Sequence, residues 1–218
     1  MTYDEIRQDA AIRTYISQAD ASLLALGFTE HSFAHIHHVS ESAGYILETL
    51  GFPERMIELA KIAGYLHDIG NLVNRVEHSQ SGALLAFRLL DERQMPPAEI
   101  ALITTAIGNH DEGTGQPVND LAAAIILADK SDVRRSRVRS KDFTKFDIHD
   151  RVNYSVTSSE LTISDDHKIV LLRLEIDTAY GSVMDYFEIF MDRMIFCRKA
   201  AERLNMSFKL EINGQQLI

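Results

Sequence analysis

Residues 121–129, LAAAIILAD, place eight consecutive apolar side chains directly before a carboxylate. A helix that is apolar on nearly every side is stable only where other elements cover it, so this segment demands a multi-helix core. The same burial makes Asp129 costly unless it meets a cation or several hydrogen-bond donors.

The surrounding pattern is consistent with that demand. From residue 4 to about 130 the apolar spacing is helical almost throughout, with breaks at Gly27, Gly51 to Pro53, His67 to Glu77, Pro96-Pro97 and Gly113 to Pro117. After Asp129 the character changes. KSDVRRSRVRSKDF is polar and basic, and VNYSVTSSELTIS and KIVLLRLEID then flank an SDDHK turn, which predicts a hairpin. An amphipathic helix over Ser182 to Leu204 and a strand at MSFKLEI follow. The expected fold is mainly α: a helical domain over residues 1–145 with a small C-terminal α+β appendage, ββαβ, over 146–218. The boundary falls in the basic linker.

Charge and cysteine usage exclude several functions. With 22 basic and 32 acidic residues the formal charge is −10, unsuited to a nucleic-acid coat or an anionic membrane surface. The opening MTYDEIRQDAAIRTYISQ is too charged for a secretory signal, and no stretch approaches the roughly 18 apolar residues of a membrane span. A cytoplasmic location, no membrane partner and no stable nucleic-acid complex are expected. The single cysteine, Cys197, has no intramolecular partner and lies in an apolar pattern with Phe190, Met194 and Ile195.

Five helical segments carry ionisable residues on their apolar stripes. His35 lies four before Val39. His67 ends the series Met56, Ala60, Ala63, with Asp68 beside it. His78 heads Gly82, Leu85, Leu89, where the glycine leaves room for something bulky. His110 closes Ile100, Ile103, Ile107, and Asp129 ends the apolar run. His37 points away from the stripe, while His31 and His38 border it. Taken singly, each histidine reads as a hydrogen-bonded core residue, Asp68 as a turn residue and Asp129 as a partner for an arginine. Together, four inward imidazoles and two carboxylates in one core need a common counter-charge, which a divalent metal supplies.

In order, His35, His67-Asp68, His78, His110 and Asp129, in the fragments HIHHVSESA, AGYLHDIGN, EHSQSGALLA, IGNHDE and ILADKSD, resemble the signature of the HD-domain superfamily of metal-dependent phosphohydrolases. The match covers roughly residues 30–135 and leaves the appendage outside. The resemblance implies an HD-type helical domain holding two divalent ions. His35, His67, Asp68 and Asp129 would bind one, and His78 and His110 the second, with Asp68 bridging. All ligands are nitrogen or oxygen, which suits Fe, Mn, Co, Ni, Zn or Mg without selecting among them. Two departures stand out. Asn71 occupies a position where many relatives carry lysine, and NHDEGTGQP replaces the elements of the cyclic-di-GMP phosphodiesterase branch.

By that resemblance the chain is a phosphohydrolase in which a metal-bridging hydroxide attacks phosphorus. Asp68, Arg75 and Lys130 are the expected catalytic residues, the two cations facing developing negative charge. Arg134, Arg135, Arg137 and Arg139 form either a polyphosphate clamp or a solvated linker. Asp111, Glu112 and Asp132 are candidate orienting residues or surface charges, and His149 and His167 are expected in exposed turns. The expected substrate is a small phosphorylated metabolite or nucleotide, with dinucleoside polyphosphates one candidate. A di-iron oxygenase and a non-catalytic metal-bound sensing module are the alternatives. The appendage would cover the site's rim or form a homodimer through its sheet edge and the helix Val183 to Phe196.

Overall fold

A computed structural model of the chain describes residues 1–140 and 142–218. Its helical part comprises α1 (Tyr3–Gln8), α2 (Ala10–Ala25), α3 (Phe33–Thr49), α4 (Glu54–Leu66), α5 (His78–Glu92), α6 (Pro97–Gly108) and α7 (Asp120–Ser131). Local chemistry sets the helix starts. Asp9 caps α2 by accepting from the Ala11 and Ile12 N–H groups, and Asn119 caps α7 through Ala122. Pro97 opens α6, where its missing N–H costs nothing.

The apolar run is the centre of the fold. Every residue from Leu121 to Ala128 is fully buried, and α7 packs against α3, α4 and α6. Asp129 thereby reaches the same interior as His35, from α3, and His67, at the end of α4.

The C-terminal part contains the expected ββαβ order and adds a helix before it and a short strand after it. Residues 152–155, read as strand, instead finish a helix, α8 (Ile148–Ser155), whose start is capped by Asp147 accepting from Asp150. The capped turn prevails over the β-branched composition, and the strand begins at Val156. The strands are β1 (Val156–Ile163), β2 (Ile169–Ile176), β3 (Ser207–Ile212) and β4 (Gln215–Gln216), in the order β1-β2-β3-β4. β1 and β2 form the expected antiparallel hairpin, while β2 and β3 run parallel, joined by α9 (Val183–Arg203). A Ser182–Asp185 capping box begins α9, within one residue of the expected start.

The short β4 pairs antiparallel with β3 across Asn213-Gly214, both at positive φ (51° and 75°). That dipeptide is the preferred tight hairpin turn, a signal overlooked in the sequence. Val170, Leu172 and Leu174 of β2 and Phe208, Leu210 and Ile212 of β3 alternate inward. They belong to one continuous apolar core that also contains Phe190, Met194 and Cys197 of α9 and the buried residues of α7. Among the described residues, no helix is long and apolar enough to cross a membrane.

Candidate metal centre

The six inward-facing residues converge. His35, His67, His78 and His110 are essentially buried, as is Asp68, and the Asp129 side chain is 12% exposed. The His35, His67, His110 and His78 rings form a chain of edge-on neighbours with centroids 5.0–5.2 Å apart.

The orientation of each imidazole follows from its outer nitrogen. Nδ1 of His67 lies 2.7 Å from the Gly64 carbonyl, that of His110 2.7 Å from Ile107, and that of His78 3.1 Å from Arg75. Nδ1 of His35 lies 2.7 Å from the Asp132 carboxylate. Carbonyl and carboxylate oxygens only accept, so each Nδ1 carries the proton and each Nε2 of a neutral ring presents a lone pair inward. His31, in the loop before α3, repeats the pattern: its Nδ1 donates to the Thr29 carbonyl at 2.8 Å and its Nε2 faces Asp68 at 4.0 Å. Burial, reinforced by Arg137, holds His31 well below its ordinary pKa and therefore neutral.

These inward lone pairs lack partners. The Nε2 atoms of His35 and His67 are buried without a hydrogen bond. Those of His78 and His110 face each other at 3.1 Å, an arrangement that is repulsive unless a cation lies between them. Neighbouring ligands held about 2.1 Å from one ion sit about 3.0–3.4 Å apart. The site matches that scale: Asp68 Oδ2 is 3.4 Å from His67 Nε2 and 3.7 Å from His35 Nε2, and Asp129 Oδ1 is 3.4 Å from His35 Nε2. The other Asp68 oxygen, Oδ1, is 3.4 Å from His78 and 3.8 Å from His110. Among the described residues, two groups have ligand atoms within 4.8 Å of one another, His35–His67–Asp129 and His67–Asp68–His110. His67 belongs to both, and His78 joins the second group through Asp68 and His110. The donor set therefore fits a binuclear centre of nitrogen and oxygen ligands.

Electrostatics favour the same conclusion. Burial works to raise the Asp68 carboxyl, but His67 and His110 hold it well below the usual carboxylate range. For Asp129, burial is likewise overcome, chiefly by Lys130. Burial would depress His67, yet Asp68 and Asp129 raise it, because two carboxylates here draw positive charge to the site.

The expected cations occupy different surroundings. Lys130 is buried, with Nζ 2.7 Å from Asp129 Oδ2 and 2.6 Å from Glu112 Oε2. Glu112, held down to about 2 against the opposing effect of burial by Lys130 and Arg193, also bonds Arg193 of α9 at 3.0 Å. A charge chain thus runs from the C-terminal helix to Asp129. Arg75 stands at the rim, 3.9 Å from Asp68 Oδ1, with its guanidinium over the Phe28 ring.

Asn71 donates to both the Asp68 carbonyl (2.9 Å) and Asp68 Oδ1 (3.0 Å), and its own oxygen faces Arg75 at 3.4 Å. Where many relatives carry a lysine, this chain has an amide that holds the doublet's carboxylate. Sequence reasoning singled out Asn71 without seeing this contact, which depends on the turn Ile69–Leu72 folding back on Asp68.

Several expectations need correction. The space at Gly82 is not left for a bulky group: a Cβ there would meet the Gly70 nitrogen and the His67 carbonyl oxygen at 3.2 Å, so backbone fills it. His38 is exposed and does not border the cavity. The four arginines form neither a clamp nor a solvated linker. Arg134 pairs with Asp132 and Glu30, Arg135 bonds the Tyr154 carbonyl and Asp177, and Arg139 pairs with Asp20. Arg137 is buried and donates to the Glu30 and Asp132 carbonyls. Asp132 acts as an orienting group, whereas the Asp111 carbonyl accepts from Gly115 in a tight loop. His149 is exposed but sits in α8, and His167 occupies an exposed turn at φ 55°.

Beside the centre lies a cavity of about 240 Å³, lined by Phe28, His31 and Arg75 on one side and by residues of α8 and α9 on the other.

Comparison with known proteins agrees with this geometry. A protein of Methanocaldococcus jannaschii, Uncharacterized protein MJ1020, is 26% identical over 193 residues, covering 78% of this chain and 74% of that protein. The HD domain model matches residues 32–134. That span contains all six converging residues together with Asn71 and Asp132, and residues 32–134 of this chain are an HD domain.

Proposed function

We propose that the chain is a metal-dependent phosphohydrolase acting on a small phosphorylated metabolite or nucleotide. The observation that carries this reading is the inward set of four imidazole lone pairs, two of them buried without a partner, around a carboxylate that shares its oxygens between them. Divalent ions bound there would supply Lewis acidity and a water of lowered pKa.

The chain's own residues divide the remaining tasks. Asp68 presents Oδ2 to His35 and His67 and Oδ1 to His78 and His110, so it would be shared between the two ions. His35, His67 and Asp129 would complete one set, and His78 and His110 the other. Asn71 holds the Asp68 carboxylate through one hydrogen bond to Oδ1 and ties the same amide to the Asp68 backbone carbonyl. Arg75, 28% exposed and only distantly paired, is placed to meet a phosphoryl oxygen. Lys130 is enclosed by Asp129 and Glu112, so its charge serves to hold Asp129 in its ionised, oriented form.

Metal analysis of the purified protein, with phosphomonoester and phosphodiester panels in the presence of Mn, Co or Ni, tests the reading beside Asp68→Ala. Bound metal and phosphate release that both disappear in Asp68→Ala are expected. A wild-type protein free of metal affinity, or Asp68→Ala with full metal and activity, would refute it. Oxygen consumption with a di-iron chromophore would replace phosphohydrolysis by oxygenase chemistry.

A further inference from the structure

The cavity beside the metal centre has two chemically different ends. At the inner end His31 and Arg75 lie within 4.0 Å of the Asp68 carboxylate, so the cavity and the centre share a wall. At the outer end the wall is α8, from Asp147 to Asn153.

The available charges limit what fits. Three arginines line the cavity, but Arg137 is committed to the Glu30 and Asp132 carbonyls and Arg193 to Glu112. Arg75 alone of the three has only long polar contacts among the described residues, 3.4 Å and 3.9 Å. Among the described lining residues a polyphosphate extending outward from the centre would therefore meet no further free arginine, and it would run against Asp147 and Asp150.

The outer end offers acceptors instead. Asn153 is 6% exposed, and its Nδ2 donates to the His149 carbonyl at 2.9 Å, which leaves its Oδ1 as an acceptor without a partner among the described residues. The Asp150 carboxylate accepts from the Asp147 backbone N–H and, among the described residues, from no side chain, while its own backbone N–H is used by Asp147. Burial, followed by the Asp147 charge, raises the Asp150 carboxyl against the smaller opposing effects of the Asp147 backbone N–H and of His149. Two acceptors with spare capacity on one wall suit a ligand that brings donors.

We infer that this cavity takes the alcohol portion of a phosphomonoester whose hydroxyl or amino groups donate to Asp150 and Asn153, as in sugar and nucleoside monophosphates, and that it disfavours polyphosphates. The phosphohydrolase reading enters only in placing the phosphate at the metal centre. The C-terminal part of the chain, outside the HD domain, then selects the substrate.

Calorimetry on the full chain with Mn²⁺ tests this using three non-hydrolysable probes: the methylenephosphonate analogue of AMP, methylphosphonate, and methylene-bridged diadenosine tetraphosphate. The AMP analogue is expected to bind at least about tenfold more tightly than either other probe, since one hydrogen bond to an acceptor with spare capacity is worth about that factor. That advantage over methylphosphonate is expected to fall by about tenfold in Asp150→Ala and in Asn153→Leu. The exposed-side variant Asp150→Ala keeps the test valid if Asn153→Leu folds poorly. Equal affinity for the AMP analogue and methylphosphonate, tightest binding of the bridged polyphosphate, or an advantage unchanged in Asp150→Ala would overturn the inference. If the affinities follow expectation while none of the parent phosphates is hydrolysed, the cavity assignment stands and the phosphohydrolase reading fails.

Discussion

Gly70→Ala tests whether backbone contact sets the distance between the two halves of the metal centre. Gly70 follows the His67-Asp68 doublet, and a Cβ at this position would lie 1.9 Å from the His78 carbonyl oxygen and 2.5 Å from the Gly82 nitrogen. Real Cβ contacts stay above 3.0 Å, so the doublet turn and α5 must part by 3.0 − 1.9 = 1.1 Å. Both are backbone atoms, which cannot swing aside as the Ser81 hydroxyl, 2.7 Å away, could. Overpacking of this kind costs about 1–3 kcal/mol. The same movement carries His78 away from Asp68 Oδ1, now 3.4 Å from it, and a misplacement of about 1 Å costs on the order of 100-fold in rate.

Urea denaturation, metal content per chain and phosphate release measured on one preparation should therefore change together. Gly82→Ala serves as the control: its Cβ would meet neighbours at 3.2–3.4 Å, so smaller losses are expected in all three. A Gly70→Ala protein within about 0.5 kcal/mol of wild-type stability, the range of harmless surface changes, and with undiminished metal content would refute the reasoning. The contact between the turn and α5 would then be too yielding to set the site.

Two further changes probe different parts of the chain. Asp132→Asn removes the charge that orients His35 from 2.7 Å, and calorimetric Mn²⁺ titration should show a loss of affinity of about 10- to 100-fold; unchanged affinity would mean that helix packing alone aims the ring. Asp9→Ala removes the α2 cap and the Arg93 partner, and should cost about 1–2 kcal/mol at pH 7. Burial raises the Asp9 carboxyl, but the Ile12 N–H and Arg93 outweigh it and lower the folded value. That stabilisation is full above the unfolded carboxylate value of about 3.9 and is lost as pH falls through the folded one. Denaturation curves of variant and wild type should accordingly converge as pH drops below about 4, and a gap that stayed constant would contradict the ionised cap.

The ligand set was legible because it rests on local rules. Helical periodicity places His35, His67, His78, His110 and Asp129 on apolar stripes, and five such stripes in one core have to bring their polar members together. The eight apolar residues before Asp129 likewise specify a central helix, which α7 is. The capped start of α9 was readable for the same reason, since a capping box spans only four residues. Where local signals conflicted, sequence reading failed: residues 152–155 have strand-like composition but complete the helix that Asp147 caps.

Tertiary structure alone decided the rest. The use of both Asp68 oxygens, the Asn71 contact and the lone-pair direction of each imidazole depend on rotamers and on carbonyls placed by neighbouring turns. The fate of the basic segment was equally hidden, because Arg137 and Arg139 meet Glu30 and Asp20 more than a hundred positions away. The cavity wall also joins residues before α3 to residues of α8 and α9. The sequence by itself determined which residues turn inward, since that follows from chain periodicity over a few residues. Only the folded chain decided which charges remain free to meet a ligand, since pairing depends on distances between segments far apart in the chain.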